Sequence, residues 1–320
     1  MAATLTTATS LPARRVRNVS RGFWWEAWSR LRLNKAAMAG LVFILILVAM
    51  AILAPLLTPY DYAEGNLLEG TQPPSREHLL GTDQLGRDIF TRLLYGARVS
   101  LTVAVAAQIV IVVIGVPIGL LTGYVGGWLD MAVMRVIDAI YALPNLLIAI
   151  LIVSMLRSNI SAGAKASGNW LSSLDRTTDG LIGIFIVMSL THWLTVSRLV
   201  RAQVLSIKER EHVESARTLG ATGPRIVRVH IMPHVLAPVI IAIAFGVPGA
   251  IMLEASLSFL GIGVNPPTPS WGLMISDGIK NMRSHPYMLI SPALALGATL
   301  LAFTFVGDGL RDAMDPHMKR

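Results

Sequence analysis

The chain has 320 residues, of which 53% are hydrophobic and only 14% charged, and its mean hydropathy is +0.60. Soluble domains carry about 25% charged residues, so the composition excludes an ordinary soluble domain and points to an all-α, polytopic membrane protein. The net charge of +8 is spread along the chain, which argues against nucleic acid as a partner, and with no cysteine neither a disulfide framework nor a thiolate site can form.

Residues 1–35 form an N-terminal tail. Met1 to Ser20 are rich in Ala, Thr, Ser and Arg and are expected to be disordered, whereas Trp24, Trp25 and Trp28 follow among Arg21, Arg30, Arg32 and Lys35. Indoles favour the headgroup level and cations reach anionic lipid, so this stretch predicts an amphipathic helix lying at the membrane interface. The charged region is too long for the start of a cleavable signal peptide.

A bilayer crossing needs about 20 apolar residues. Six runs qualify: 36–57, 99–122, 129–156, 181–205, 231–253 and 287–306. Pro233, Pro238 and Pro248 interrupt the fifth, which is therefore predicted to be kinked or broken, as at a pathway that opens and closes. Gly115, Gly119 and Gly123 recur every fourth residue in the second run, a pattern that lets another helix approach closely within the chain. With the N-terminus inside, 18 of the 27 Lys and Arg fall on the inner side, and the three opposite loops hold four, three and two. The positive-inside rule then places both termini and the segment 206–233 in the cytoplasm.

Polar residues inside apolar runs are candidate functional positions. Arg135 and Asp138, three apart, can neutralise each other on one helix face, although Arg135 could equally snorkel to the interface. His192 fits either a pathway lining or a hydrogen bond to a neighbouring helix, and Glu254 either an external gate or an interfacial carboxylate. Gln108, Pro144 and Asn145 add polar or kinked points.

Segment 206–233 is crowded with charge between two apolar runs and must lie in water. Ser206 with Glu209 reads as a capping box opening a new helix; Val213, Ala216, Leu219 and Gly220 fall on one small apolar face. Glu211, Glu214 and Arg217 can pair along a neighbouring face. Gly220 is placed to end this helix in a left-handed bend, and Pro224 fits the first turn of a second one.

These residues carry a family resemblance. Glu214-Ser215-Ala216, then Gly220, then His230-Ile231-Met232-Pro233 resemble the EAA signature of membrane subunits of bacterial ABC importers, with Ser215 where Ala is usual and Met232 where Leu is usual. The stretch His78 to Asp88 (HLLGTDQLGRD), leading into RLLYGARVSL, resembles the C-type permease subunits of oligopeptide, dipeptide and nickel importers. So does LSFLGIG followed by Pro266-Pro267-Thr268-Pro269-Ser270-Trp271-Gly272, where Trp271 is read as interfacial.

The resemblance implies a MetI-like permease fold of six spans in the bacterial inner membrane. Its parts would be an interfacial tail (1–35), a first span (36–57), an external loop with the GTDxxGRD motif (58–98), a core permease domain with five spans and a coupling helix at 206–224 (99–310), and a cytoplasmic tail (311–320). It further implies that Glu214, Ser215, Ala216, Leu219, Gly220 and Pro233 couple the chain to an ATPase, and that Asp83, Arg87, Asp88, Glu254 and Trp271 order an external mouth or gate. The implied partners are a B-type permease subunit forming a heterodimer, two ATPase subunits, an external peptide-binding protein and membrane lipid. ATP and Mg would be bound by the ATPases, because the chain has no G-x-x-x-x-G-K-[ST] phosphate loop. It also lacks H-E-x-x-H and G-x-S-x-G constellations, and holds no cofactor or metal motif, so it does not read as an enzyme. The implied cargo is a di- or oligopeptide, with nickel or glutathione as alternatives. A secondary transporter is the rival from another class; it predicts inverted repeats, and none is visible.

Overall fold

The computed structural model describes residues 22–68, 70–163, 178 and 180–315. The expected disorder of the first 20 residues and the last five residues of the tail lie outside the described residues.

The interfacial helix α1 (Phe23–Leu31) buries Ala27 and Leu31 and leaves Trp24 and Trp25 about half exposed. After it, Asn34 caps α2 (Lys35–Ile52), its side-chain oxygen accepting from the Ala37 amide at 3.1 Å. A short α3 (Ala54–Leu57) follows, with Pro55 in its first turn.

The second run is much longer than its apolar content predicts. Helix α4 (Ile89–Val125) has 37 residues, about 55 Å at 1.5 Å per residue. It starts ten residues before position 99, so residues 89–98 belong to the helix rather than to a loop. The cause is local: the Asp88 carboxylate accepts from the Thr91 amide at 2.7 Å and satisfies a first-turn donor.

The third run divides into α5 (Gly127–Tyr141) and α6 (Asn145–Gly163), bent by 85°. Pro144 sits at the break, and a proline disfavours the helical conformation of the residue before it. The fourth run consists of α7 (Leu181–Thr191) and α8 (Trp193–Lys208), joined at His192. Among the described residues, five helical stretches are long and apolar enough to cross a membrane, or six when the bent α5–α6 pair is one span.

The fifth run is continuous, so its prolines do not break it. Helix α9 (Glu211–Thr218) and a bend lead to α10 (Gly223–Ile226), a π turn (Val227–Ile231) and α11 (Met232–Phe259), and residues 223–259 form one continuous span. Pro233 falls in the first turn of α11 directly after the π turn, where its missing N–H breaks no α-helical bond, and Pro238 and Pro248 are accommodated inside the helix. Two further elements complete the chain: α12 (Trp271–Lys280), which no apolar run signalled, and α13 (Tyr287–Met314), which continues past position 306 into the predicted tail.

Helix α4 is the axis of the bundle. Its glycine stripe receives α8 so closely that a Cβ on Gly119 would lie 2.5 Å from the Ser197 carbonyl oxygen. The three glycines therefore serve packing within the chain. One core cluster joins α4, α7, α11 and α12; a second joins α4 and α8 with Val213, Ile226 and Ile231. Of the two readings offered for Arg135, the pairing with Asp138 does not form. Asp138 pairs with Arg198, and Asp130 with Arg201, whose Nη2 donates to Oδ2 at 2.6 Å. The guanidinium arms of Arg198 and Arg201 reach across from α8 to the two α5 carboxylates.

Candidate coupling bend and the cap at the opposite end of α4

At one end of α4 the chain turns through the charged segment. Ser206 does not open a helix there. It lies inside α8, because Val200, Val204 and Ile207 are buried and carry that helix on to Lys208. Burial outweighs the local capping signal. Lys208 then donates from Nζ to the Gly123 carbonyl at 3.2 Å, satisfying an acceptor in the last turn of α4.

Helix α9 begins after Arg210, which is extended and makes no side-chain cap. It ends in a Schellman motif. The Gly220 amide donates to the Arg217 carbonyl at 3.0 Å, and the Ala221 amide donates to the Ala216 carbonyl at 3.0 Å. Gly220 has φ of +82°, as the bend required, and Pro224 stands in the first turn of α10. The single apolar face expected for α9 is divided: Val213 is buried, Ala216 half-buried, and Leu219 88% exposed. The helix is too short to bury both ends against the bundle, so Val213 anchors it while Leu219 faces water. Glu214, Ser215, Gly220 and Pro233 are exposed as well. Among the described residues neither Glu211 nor Glu214 pairs with Arg217. The result is a short helix held by one buried side chain, presenting an open, mixed surface.

At the other end of α4 the two remote motifs meet. The Asp83 carboxylate accepts from the Leu85 and Arg87 amides at 2.9 and 3.0 Å and from Arg87 Nε at 2.8 Å. Asp88 holds the Thr91 hydroxyl at 2.8 Å and lies 3.0 Å from His78 Nδ1. Arg92, buried, donates to the Tyr62 carbonyl at 2.9 Å and to the Pro267 carbonyl at 3.3 Å. Trp271 is fully buried rather than interfacial: its Nε1 donates to the Leu93 carbonyl at 3.1 Å, and its ring covers Gly96. Because α12 folds back on α4, a residue that reads as a membrane anchor becomes a core side chain.

Glu254 is also fully buried. Its two oxygens accept from the hydroxyls of Ser100 and Ser258, each at 2.8 Å, and Ser270 adds a third hydrogen bond. The carboxylate thus ties α4, α11 and the start of α12. LSFLGIG acquires a local reason too: α11 ends in a second Schellman motif, with Gly261 at φ of +79° and the Ile262 amide on the Leu257 carbonyl at 3.0 Å. Sequence reasoning missed Ser100, Ser258 and Ser270 as partners of Glu254. Ser258 stands four residues after Glu254 on the same helix, a spacing the sequence did offer. Ser100 and Ser270 carry no spacing signal and arrive only when α4 and the start of α12 approach α11. His192 Nδ1 lies 3.0 Å from the adjacent Thr191 hydroxyl, and Gln108 is buried beside Gly246.

Long apolar helices, a charged helical bend at one end and a closed polar cap at the other define a multi-span membrane protein. The chain belongs to the family described as the binding-protein-dependent transport system inner membrane component, which it matches over residues 115–320. Residues 22–74 match the N-terminal transmembrane domain of oligopeptide transport permease C. The chain is 40% identical over 308 residues to the oligopeptide transport system permease protein OppC of Bacillus subtilis, covering 96% of this chain and 94% of that protein. It is 40% identical over 306 residues to the dipeptide transport system permease protein DppC of the same organism, covering 95% and 89%. Identity to the glutathione transport system permease protein GsiD of Pectobacterium atrosepticum is 37% over 314 residues, covering 97% and 96%. The protein is therefore a permease subunit of a binding-protein-dependent importer in the inner membrane.

Proposed function

We propose that this subunit forms half of a translocation pathway for di- or oligopeptides and couples it to two separate ATPase subunits through α9 and the Gly220 bend. The observation that carries the coupling role is Leu219, a large apolar side chain left 88% exposed beside a rigid left-handed turn. Because Val213 alone seats this short helix on the bundle, the rest of its surface, Leu219 included, stays open to another protein. Glu214, Ser215 and Ala216 supply the neighbouring contact face, and Pro233 lies in the first turn of α11, the helix that the bend would move. In this reading both termini and the bend are cytoplasmic, and the parts of the chain are those of the sequence reading, with the core permease domain at 99–310.

Asp83, Arg87, Asp88, Glu254 and Trp271 then hold the external mouth in shape. Their carboxylates and indole are committed to internal hydrogen bonds, which suits a rigid frame better than direct cargo contact. A B-type permease would supply the other half of the pathway, an external binding protein the cargo, and the ATPases the site for ATP and Mg. The names of the relatives support a peptide cargo, glutathione being itself a peptide.

The test is reconstitution of the complex purified from its own membrane into liposomes, followed by uptake of labelled peptides. Uptake that needs ATP, and that stops when the external binding protein is omitted, supports the reading. Peptide uptake by the lone chain without ATP would overturn it in favour of a secondary carrier.

A further inference from the structure

A groove of about 670 Å³ opens at the bend end of the bundle, between α1, the start of α11 and the end of α13. One wall is apolar and consists of Leu236, Ala237, Pro238 and Ile241 on α11. From Pro233 to Ile241 this wall runs for about 12 Å along the helix axis. Its mouth is polar: Gln203, His234, Arg311 and Asp315 line it, with the half-exposed Trp24 of the interfacial helix. Asp315 contributes its carbonyl oxygen to Arg30 Nη1 at 3.1 Å, so α1 is tied to the end of α13 across the mouth.

From this arrangement we infer that the groove is a binding site for one glycerophospholipid of the adjacent leaflet. The phosphodiester would sit at Arg311 beneath the Trp24 indole, with one acyl chain along Leu236, Ala237 and Ile241. Three observations select this occupant. The lining changes from polar to apolar along one direction, as a lipid does from headgroup to tail. An exposed guanidinium, which matches phosphate geometry, stands at the polar end. An indole marks the headgroup level at the same end. A free anion would leave the apolar wall wet, and a wholly apolar ligand would leave Arg311 without use. Pro233 and His234, which line the groove, directly follow the π turn leading from the bend. A bound lipid would therefore brace the base of the span that α9 moves.

The test uses the full chain in nanodiscs of mixed phosphatidylethanolamine and phosphatidylglycerol, then release and native mass spectrometry. Wild type is expected to retain one phospholipid per chain. Ala237→Trp fills the wall and should abolish retention, while Arg311→Gln should lower it roughly tenfold, the loss of one charge-assisted contact. Relative retention of the two headgroups reports which one the mouth prefers. Equal retention by wild type and Arg311→Gln would overturn the proposal, and this surface variant decides the matter even where Ala237→Trp misfolds. Release of a second permease chain by Ala237→Trp from the native complex, with lipid retention unchanged, would show a protein interface instead. The measurement needs no partner subunit, so its failure leaves the transport reading intact.

Discussion

Replacement of Gly220 by valine tests the coupling bend through backbone conformation alone. No heavy atom lies within 4 Å of where a Cβ would stand, so the substitution meets no steric obstacle from the rest of the fold. The cost is confined to the φ of +82°, which an L-residue adopts at about 1–2 kcal/mol and a β-branched one at up to about 3 kcal/mol. Relief of that strain requires opening the bonds from Gly220 to Arg217 and from Ala221 to Ala216, which swings α9 about its Val213 anchor. A bias of about 1–3 kcal/mol lowers the docking-competent population about 5- to 150-fold. The assay is ATP-dependent peptide uptake by the reconstituted complex, with the unfolding midpoint of the lone subunit as control. Uptake should fall by that factor in Gly220→Val while the midpoint stays within a few degrees. Gly220→Asn should stay near wild type, because asparagine tolerates the left-handed region. Wild-type uptake by Gly220→Val, or an equal loss in Gly220→Asn, would refute the reasoning.

Three further outcomes follow from the packing. Trp271→Ala should cost about 3–5 kcal/mol, because the indole is fully buried and bonded to Leu93, whereas Trp271→Phe should cost about 1 kcal/mol for the lost hydrogen bond; unfolding in detergent distinguishes them. Gly119→Leu should prevent α8 from seating on α4, since even a Cβ would lie 2.5 Å from the Ser197 oxygen, and membrane-inserted protein measured by fluorescence-detected gel filtration should drop below detection. Glu254→Leu should destabilise by more than about 2 kcal/mol by orphaning the Ser100 and Ser258 hydroxyls, while Glu254→Gln, which keeps an acceptor, should unfold closer to wild type; equal midpoints would show that the carboxylate does not tie the three helices.

The sequence by itself determined the features that depend on composition and on local backbone chemistry. Apolar runs cannot rest in water, so the membrane class was legible from residue type alone, and the charged bend that interrupts the runs was legible in the same way. Gly220 and Pro224 were legible for the same reason: a left-handed turn and a first-turn proline are properties of single residues. Only the tertiary structure decided the rest. Ser206 carries a cap signal, yet the buried face of Val204 and Ile207 extends α8 through it. Asp138 has an arginine three residues away on its own helix, yet it pairs with Arg198 of another. Trp271 suits an interface, yet α12 folds it onto Leu93, 178 positions earlier. Glu254 reads as a lone intramembrane acid until Ser100, 154 positions away, arrives to hold it. The cap and the same-helix pair are each worth about a kilocalorie or less, and burial in a close-packed bundle, where polar groups must find partners, outweighs such local preferences.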